Sequence, residues 1–254
     1  MVKQHTHYLP SVFSQSLRLP PHVCGAEKTL STSGAFSLLV DTAALHSELI
    51  GTGCREMKDR HLFWLMTRAR IRFYERPTMM EEVSVTTWPA APRHYLCNRF
   101  YTMHRGSTLL LEGRQEWAVL DLESLRPVRT EGIYPPSLTH VGTEVIPTPY
   151  SRLSDTLRDG DALCTLTASS SDIDFGGHVN NAAYLRMILG ALSSEEHRAL
   201  AVREAEVQYL TPCYEGEELT LLCQRGEEIL LSLRKEDGRC ACLCRLVPGS
   251  PTTG

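Results

Sequence analysis

Residues 171–197 read SDIDFGGHVNNAAYLRMILGALSSEEH. Two acidic residues, Asp172 and Asp174, stand two apart. Two glycines, a histidine and two asparagines follow, and then a run with helical spacing over about 179–193. Asn180 or Asn181 suits a helix cap, because a short amide side chain can accept from a free N–H of the first turn. The unpaired N–H groups there carry partial positive charge. Gly176 and Gly177 permit backbone conformations closed to other residues and let a ligand carbonyl approach the main chain. Taken singly, Asp174 serves equally as a cap and His178 as a structural histidine. Their combination with the glycine pair and both asparagines points to chemistry.

Strand patterns follow the helix at 205–210, 217–225, 227–235 and 240–247, with EDGR (236–239) as a turn; another strand precedes the motif at 162–168. Upstream the same order occurs. FSLLVDTAALHSELI (36–50) has helical spacing, with Leu38, Leu39, Leu45 and Leu49 on its apolar side and Gly51 and Gly53 ending it. LFWLMTRARIRF (62–73) alternates, placing Ala69, Ile71 and Phe73 on one face and Arg68, Arg70 and Arg72 on the other. Strands are expected again at 82–88, 94–103 and 109–121, with HRGS (104–107) as a hairpin turn. Residues 131–161 are rich in Pro, Gly, Ser and Thr and are expected to link two halves.

At an offset of 136, Ile71, Phe73 and the run 81–85 fall on Val207, Tyr209 and 217–221. The helices overlay differently, with DTAAL (41–45) on NNAAY (180–184). That overlay puts Ala35 on Asp174 and Leu39 on His178, so one site per chain is expected, in the second half. Each half is then a helix that buries its stripe only by lying across a curled antiparallel sheet. The expected class is α+β, as two tandem units: 1–135, a linker over 136–160, and 161–254.

The composition is ordinary for a globular chain: 254 residues, 42% apolar, 22% charged, formal net charge −4. That balance argues against a nucleic-acid binder. No stretch approaches the ~18 apolar residues of a membrane span. The first 22 residues lack the apolar core of a signal peptide, so a cytoplasmic protein is expected. Nine cysteines at irregular spacing fit reduced thiols. CACLC (240–244) lies in a strand pattern expected to set all three thiols on one face as packing groups, and no metal or other cofactor is expected.

The motif Asp-x-x-Gly-His-Val-Asn-Asn-x-x-Tyr ahead of such a helix resembles that of the hotdog thioesterases. Two such halves resemble the acyl-ACP thioesterase family, and TRARIRFYERPTMMEEVSVTTWP (67–89) and EWAVLDLESLRPVR (116–129) are similar to that family's first-half strands. The resemblance implies two tandem hotdog folds and hydrolysis of acyl-ACP to a free fatty acid, by a monomer or homodimer. It implies catalytic roles for Asp174 and His178, with Gly176 standing where the family has Asn, and Pro212 before Cys213 where it has Glu. The residues themselves add Asn180 to the expected catalytic set, since Asn180 or Asn181 could hold a water or the acyl carbonyl. Asp174 would act as base or nucleophile and His178 would orient it or polarise the carbonyl. Gly176, Gly177, Val179 and Asn181 would bind the thioester, the free N–H groups of Val179, Asn180 and Asn181 serving the oxyanion. Without its Glu partner Cys213 is expected to be structural. Leu38, Leu39 and Trp64 of the first half would set tail length. Arg68, Arg70 and Arg72 would dock the acidic carrier protein through its acyl-phosphopantetheine-bearing face, or are simply a solvated strand face. Acyl-CoA hydrolysis, a hydratase and a non-catalytic acyl-binding module are the competing readings.

Overall fold

Ten strands form one antiparallel sheet in the computed structural model, which describes residues 9–249. The outer ends of the two expected units, residues 1–8 and 250–254, lie outside the described residues. The strands are β1 (Phe13–Arg18), β2 (Leu62–Phe73), β3 (Glu82–Pro89), β4 (Leu96–Arg105), β5 (Thr108–Asp121), β6 (Ala162–Thr167), β7 (Glu204–Tyr209), β8 (Glu218–Arg225), β9 (Ile229–Lys235) and β10 (Cys240–Val247). Their spatial order is β1-β3-β4-β5-β2-β7-β10-β9-β8-β6. The second five repeat the first in reverse, so a pseudo-twofold axis passes between β2 and β7. The expected alternation in β2 holds: Ala69, Ile71 and Phe73 are buried on the inner face.

Two helices cover that face, α1 (Thr32–Leu49) and α3 (Asn181–Gly190), and they touch each other. Their buried residues share one core with both halves of the sheet. Helix α1 starts four residues before the expected Phe36, because Ser31 caps it through a bond from Gly34 N–H at 3.0 Å. Its buried stripe is Ala35, Leu38, Leu39, Ala43 and His46, whereas Leu45 and Leu49, expected on that stripe, are exposed. The second-half helix ends at Gly190, short of the expected 193, and α4 (Ser194–Leu200) starts afresh under a Ser193/Glu196 capping box. Strand β1 and the short helix α2 (Cys54–Asp59) have no counterpart in the expected pattern.

The segment expected as a linker is a packed strap. It carries no strand, yet Tyr134, Leu138, Val145, Ile146 and Leu157 are buried. Val145 packs with Trp88 and Phe100 on the sheet's outer face, and Trp88 Nε1 donates to Thr143 O at 2.8 Å. The strap also overturns the expected arginine face. Arg70 is only 3% exposed, its guanidinium donating to Glu206, Thr148 and Pro149. Arg72 is paired with Glu204 at 2.8 Å, and the Arg68 guanidinium stands over Tyr150. With Arg70 enclosed and Arg72 paired, only Arg68 stays half-exposed and without a carboxylate partner among the described residues, so the three do not form an open basic stripe. A second correction concerns 240–244. A bulge between Cys240 and Cys242 turns Cys240 toward Ser232 on the outer face, while Cys242 and Cys244 stay in the core. No helix among the described residues is long and apolar enough to cross a membrane.

Candidate active site

The quoted motif folds into a closed loop. A short 3-10 turn, Ser170–Asp172, leads in, and Asp172 is buried. Its carboxylate accepts from Ser169 N at 2.9 Å and from the Arg186 guanidinium at 2.6 Å, which makes it a structural group. Ile173 and Val179 then bridge as in a tiny hairpin. Inside it Asp174 N–H donates to His178 O at 2.9 Å and Gly177 N–H to Asp174 O at 3.0 Å. Gly177 takes φ 77°, a left-handed value that other residues adopt only with strain.

Asp174 folds back on this loop, its Oδ1 accepting from Gly176 N–H at 2.7 Å. A Cβ at position 176 would lie 3.0 Å from Asp174 Oδ1 and 3.6 Å from His178 Nδ1. Carboxylate and imidazole therefore border one space over Gly176. Their side chains are not hydrogen-bonded to each other, so the direct Asp–His contact is not made here.

The helix entry differs in detail from expectation. Val179 N–H is taken by Cys213 O at 2.9 Å and Asn180 N–H by Asp172 O at 2.8 Å, so neither is free for an oxyanion. Val179 is a core residue, 4% exposed. Asn180, expected in the catalytic set, is the cap of α3: its Oδ1 accepts from Ala182 N–H at 2.8 Å. Asn181 is the first helical residue, and its carbonyl accepts from Tyr209 OH at 2.9 Å. The N–H groups of His178 and Asn181 are not used in holding the loop.

Three tyrosines complete the surroundings; Tyr184 closes the sequence motif, whereas Tyr209 and Tyr214 carried no signal of a site role. Tyr214 lays its ring 5.1 Å from that of His178. Behind it Lys235 is anchored on Pro212 O at 3.0 Å and Glu217 at 2.8 Å. Tyr184, on α3, accepts from Cys213 N–H at 2.8 Å, and burial holds its phenol far above the usual range. Tyr209 faces Tyr184 edge-on. Cys213 is fully buried, and burial pushes its thiol up, against the lowering effect of Tyr184 and Lys235. Its peptide group ties the loop to α3, consistent with the expected structural role. The available signal was position: Pro212, Cys213 and Tyr214 lie three to five residues past the end of β7.

The first half contains the same loop without the same side chains. Gly25 N–H donates to Thr29 O and Lys28 N–H to Gly25 O, matching the bonds of Asp174 and Gly177. Cys24 bridges Leu30 as Ile173 bridges Val179, and Ser31 caps α1 as Asn180 caps α3. Lys28, at φ 57°, stands where Gly177 does. So Asp174 and His178 correspond to Gly25 and Thr29, not to Ala35 and Leu39 as the sequence overlay had it. Of the residues expected to line the tail, Leu38 and Leu39 join the main core. Trp64 packs apart from them, against Ile50, Trp117 and Tyr134, with its Nε1 donating to Thr52 O at 2.9 Å. In the first half, burial and then the charges of Glu48, Asp174 and Glu56 push the Cys54 thiol up.

A helix against five antiparallel strands, repeated about a pseudo-twofold axis, with an Asp/His loop before the second helix, defines the double-hotdog class. Family models agree on both halves: the acyl-ACP thioesterase N-terminal domain matches residues 10–133 and the C-terminal domain residues 160–248. The chain belongs to the acyl-ACP thioesterase family. It is 25% identical over 252 residues to a chloroplastic acyl-acyl carrier protein hydrolase of Cuphea viscosissima, covering 89% of this chain and 60% of the relative. It is 27% identical over 227 residues to the palmitoyl-acyl carrier protein thioesterase of Gossypium hirsutum, covering 79% and 54%. The chain thus spans little more than half the length of these curated relatives. Among solved structures, an acyl-ACP thioesterase from Bacteroides thetaiotaomicron superposes with TM-score 0.84 at 23% identity, covering 93% of this chain and 97% of that one. A 12:0-ACP thioesterase from Umbellularia californica gives 0.79 at 16% identity, covering 94% and 98%.

Proposed function

We propose that this chain hydrolyses an acyl thioester carried on acyl carrier protein, releasing a fatty acid and the phosphopantetheine thiol. The observation that carries the reading is the placement of Asp174: its carboxylate is held by Gly176 N–H and borders, with His178, a space over a glycine backbone. Family membership and the names of the plant relatives support the carrier-bound substrate. In this mechanism a water attacks the thioester carbonyl while Asp174 takes its proton. The oxyanion forms beside the N–H groups of His178 and Asn181, at the positive end of α3. Collapse breaks the C–S bond, and the leaving sulfur takes a proton to become the free thiol. His178, whose ring lies 5.1 Å from that of Tyr214, supplies it in this reading.

The test is release of free thiol from acyl-ACP, with the same acyl group on CoA as comparison. Faster turnover of the CoA ester would assign the chain to acyl-CoA. No thiol release from either, across a panel of chain lengths, would leave an acyl-binding protein instead.

A further inference from the structure

The inner sheet face of the first half carries a polar patch that hydrolysis does not use. Arg99 on β4 and Gln115 on β5 are direct cross-strand partners, 4% and 1% exposed. Trp117 Nε1 donates to Gln115 Oε1 at 3.2 Å, and the Tyr101 hydroxyl donates to the same oxygen. An indole N–H can only donate, so the amide orientation is settled and its Nε2 faces the interior with no acceptor. The Arg99 guanidinium donates to neutral groups, His46 Nδ1 at 3.0 Å and Ser47 Oγ at 3.2 Å. With Thr87 Oγ1 at 3.4 Å these are its side-chain partners among the described residues, and none is a carboxylate. A buried amide donor without an acceptor, beside a buried cation without an anion, is unfavourable unless something supplies oxygen.

Strand register connects this patch to the candidate active site. Tyr209 bonds the carbonyl of Asn181, at the start of α3. Two residues earlier on the same face, Val207 pairs with Ala69, Ala69 with Gln115, and Gln115 with Arg99. One row thus runs from the catalytic helix into the first half, with the small Ala69 at its middle. At ~4.8 Å per strand, Gln115 is roughly 10 Å from Val207, within reach of a medium-length acyl chain.

We infer that this row is the acyl path, and that Gln115 and Arg99 select a chain bearing an oxygen acceptor near its far end over a plain alkyl chain. The shared chemistry is an acceptor oxygen, from a terminal hydroxyl or a terminal carboxylate. The inference rests on the hydrolase reading above. The experiment compares acyl-ACP substrates of matched length with a methyl, hydroxymethyl or carboxyl terminus, for wild type and Gln115→Leu. At least one oxygenated chain is expected to exceed the plain chain roughly tenfold or more in kcat/KM, with the ratio collapsing toward one in Gln115→Leu. The hydroxyl and carboxyl arms tell the two acceptors apart. Equal or better turnover of the plain chain by wild type overturns the inference, and so does a preference that survives Gln115→Leu. The wild-type ratio decides alone if the variant does not fold. If no thioester is hydrolysed, the hydrolase reading fails separately. Thermal stabilisation by the corresponding free acids then decides this one: greater stabilisation by the oxygenated acids supports it, and equal or lesser stabilisation overturns it.

Discussion

Arg70 and Glu206 stand directly opposite each other on β2 and β7, 136 residues apart in the chain. The same offset lays the second half's strands on the first, so each residue occupies the other's equivalent position and the pair marks the pseudo-twofold axis. Both are buried. Glu206 also accepts from Ser151 N–H at 2.7 Å and from Arg245, which binds the strap and β10 to the same carboxylate. Removing one partner leaves buried charge unpaired, and Glu206→Leu is expected to destabilise the fold by about 3–5 kcal/mol. Arg70→Met with Glu206→Leu is expected to lose less than the two single losses added. Urea unfolding of the three variants measures this; a Glu206→Leu loss below ~1 kcal/mol would remove the pair from the account.

His46 supplies a pH dependence. Burial, then the charge of Arg99, lowers its pKa from 6.5 to about 4, against the opposing bond to Pro10 O. The unfolded chain therefore binds one proton more than the folded chain between these values. Stability from neutral His46 is fully present above about 6.5 and is lost as pH falls toward about 4. The slope in that window is ~1.4 kcal/mol per pH unit. His46→Gln should flatten this part of the stability–pH curve, measured by urea midpoints at a series of pH values. An unchanged slope would show that other groups produce it.

Local periodicity made most of the strands and both main helices legible, because alternation and helical spacing are properties of adjacent residues. The Arg68-Arg70-Arg72 face was misread for the complementary reason. Whether a polar face meets water depends on what crosses it, and here Pro149, Tyr150 and Ser151 do. The repeat was visible in the strands yet misplaced in the helices. Helix α1 has 18 residues and α3 has 10, so matching their interiors slid the caps apart. Asp174, His178 and Tyr184 were readable from the motif, whereas Tyr214 reaches the loop only through the fold of the segment after β7. Asn180 illustrates a limit of motif reading: the same amide suits a cap and a catalytic site, and the geometry shows its Oδ1 serving the cap.

Chemistry at the loop separates two roles. Asp174→Asn is expected to abolish most turnover with the fold intact, because the amide cannot take a proton from water. His178→Ala is expected to lower kcat by ~10²-fold or more if the ring passes a proton. A rise in KM alone would make His178 a binding group. Single-turnover rates with matched thermal unfolding distinguish these outcomes.

The twin loop gives a matched control. Thr29 stands in the first half where His178 stands in the second, on the same backbone bonds. Thr29→Val is expected to leave kcat within about twofold of wild type on every acyl length, while His178→Ala lowers it on all of them. Loss of turnover in a folded Thr29→Val variant would mean that the first loop takes part in catalysis.

Leu39 and Gly113 bear on how the first half tolerates change. Leu39 is fully buried, and a Cβ at position 113 would fall 2.5 Å from its Cδ1 and 3.3 Å from Tyr101 Cβ. The missing side chain on β5 is therefore what admits Leu39 against the sheet. Enlarging Leu39 to Phe or Trp to shorten a tail pocket, as the sequence invited, meets this wall, and overpacking is expected to destabilise the fold before it alters chain-length preference. Gly113→Ala is expected to cost about 1–3 kcal/mol through the same clash. Leu39→Ala is expected to cost about 2–5 kcal/mol through lost burial and a cavity. In the double variant the new methyl enters the space that Leu39 vacates. Its loss should therefore fall short of the summed single losses by ~1 kcal/mol or more, as contacting sites require. Additive losses in urea unfolding would show that the two positions do not touch, and that Gly113 is glycine for another reason.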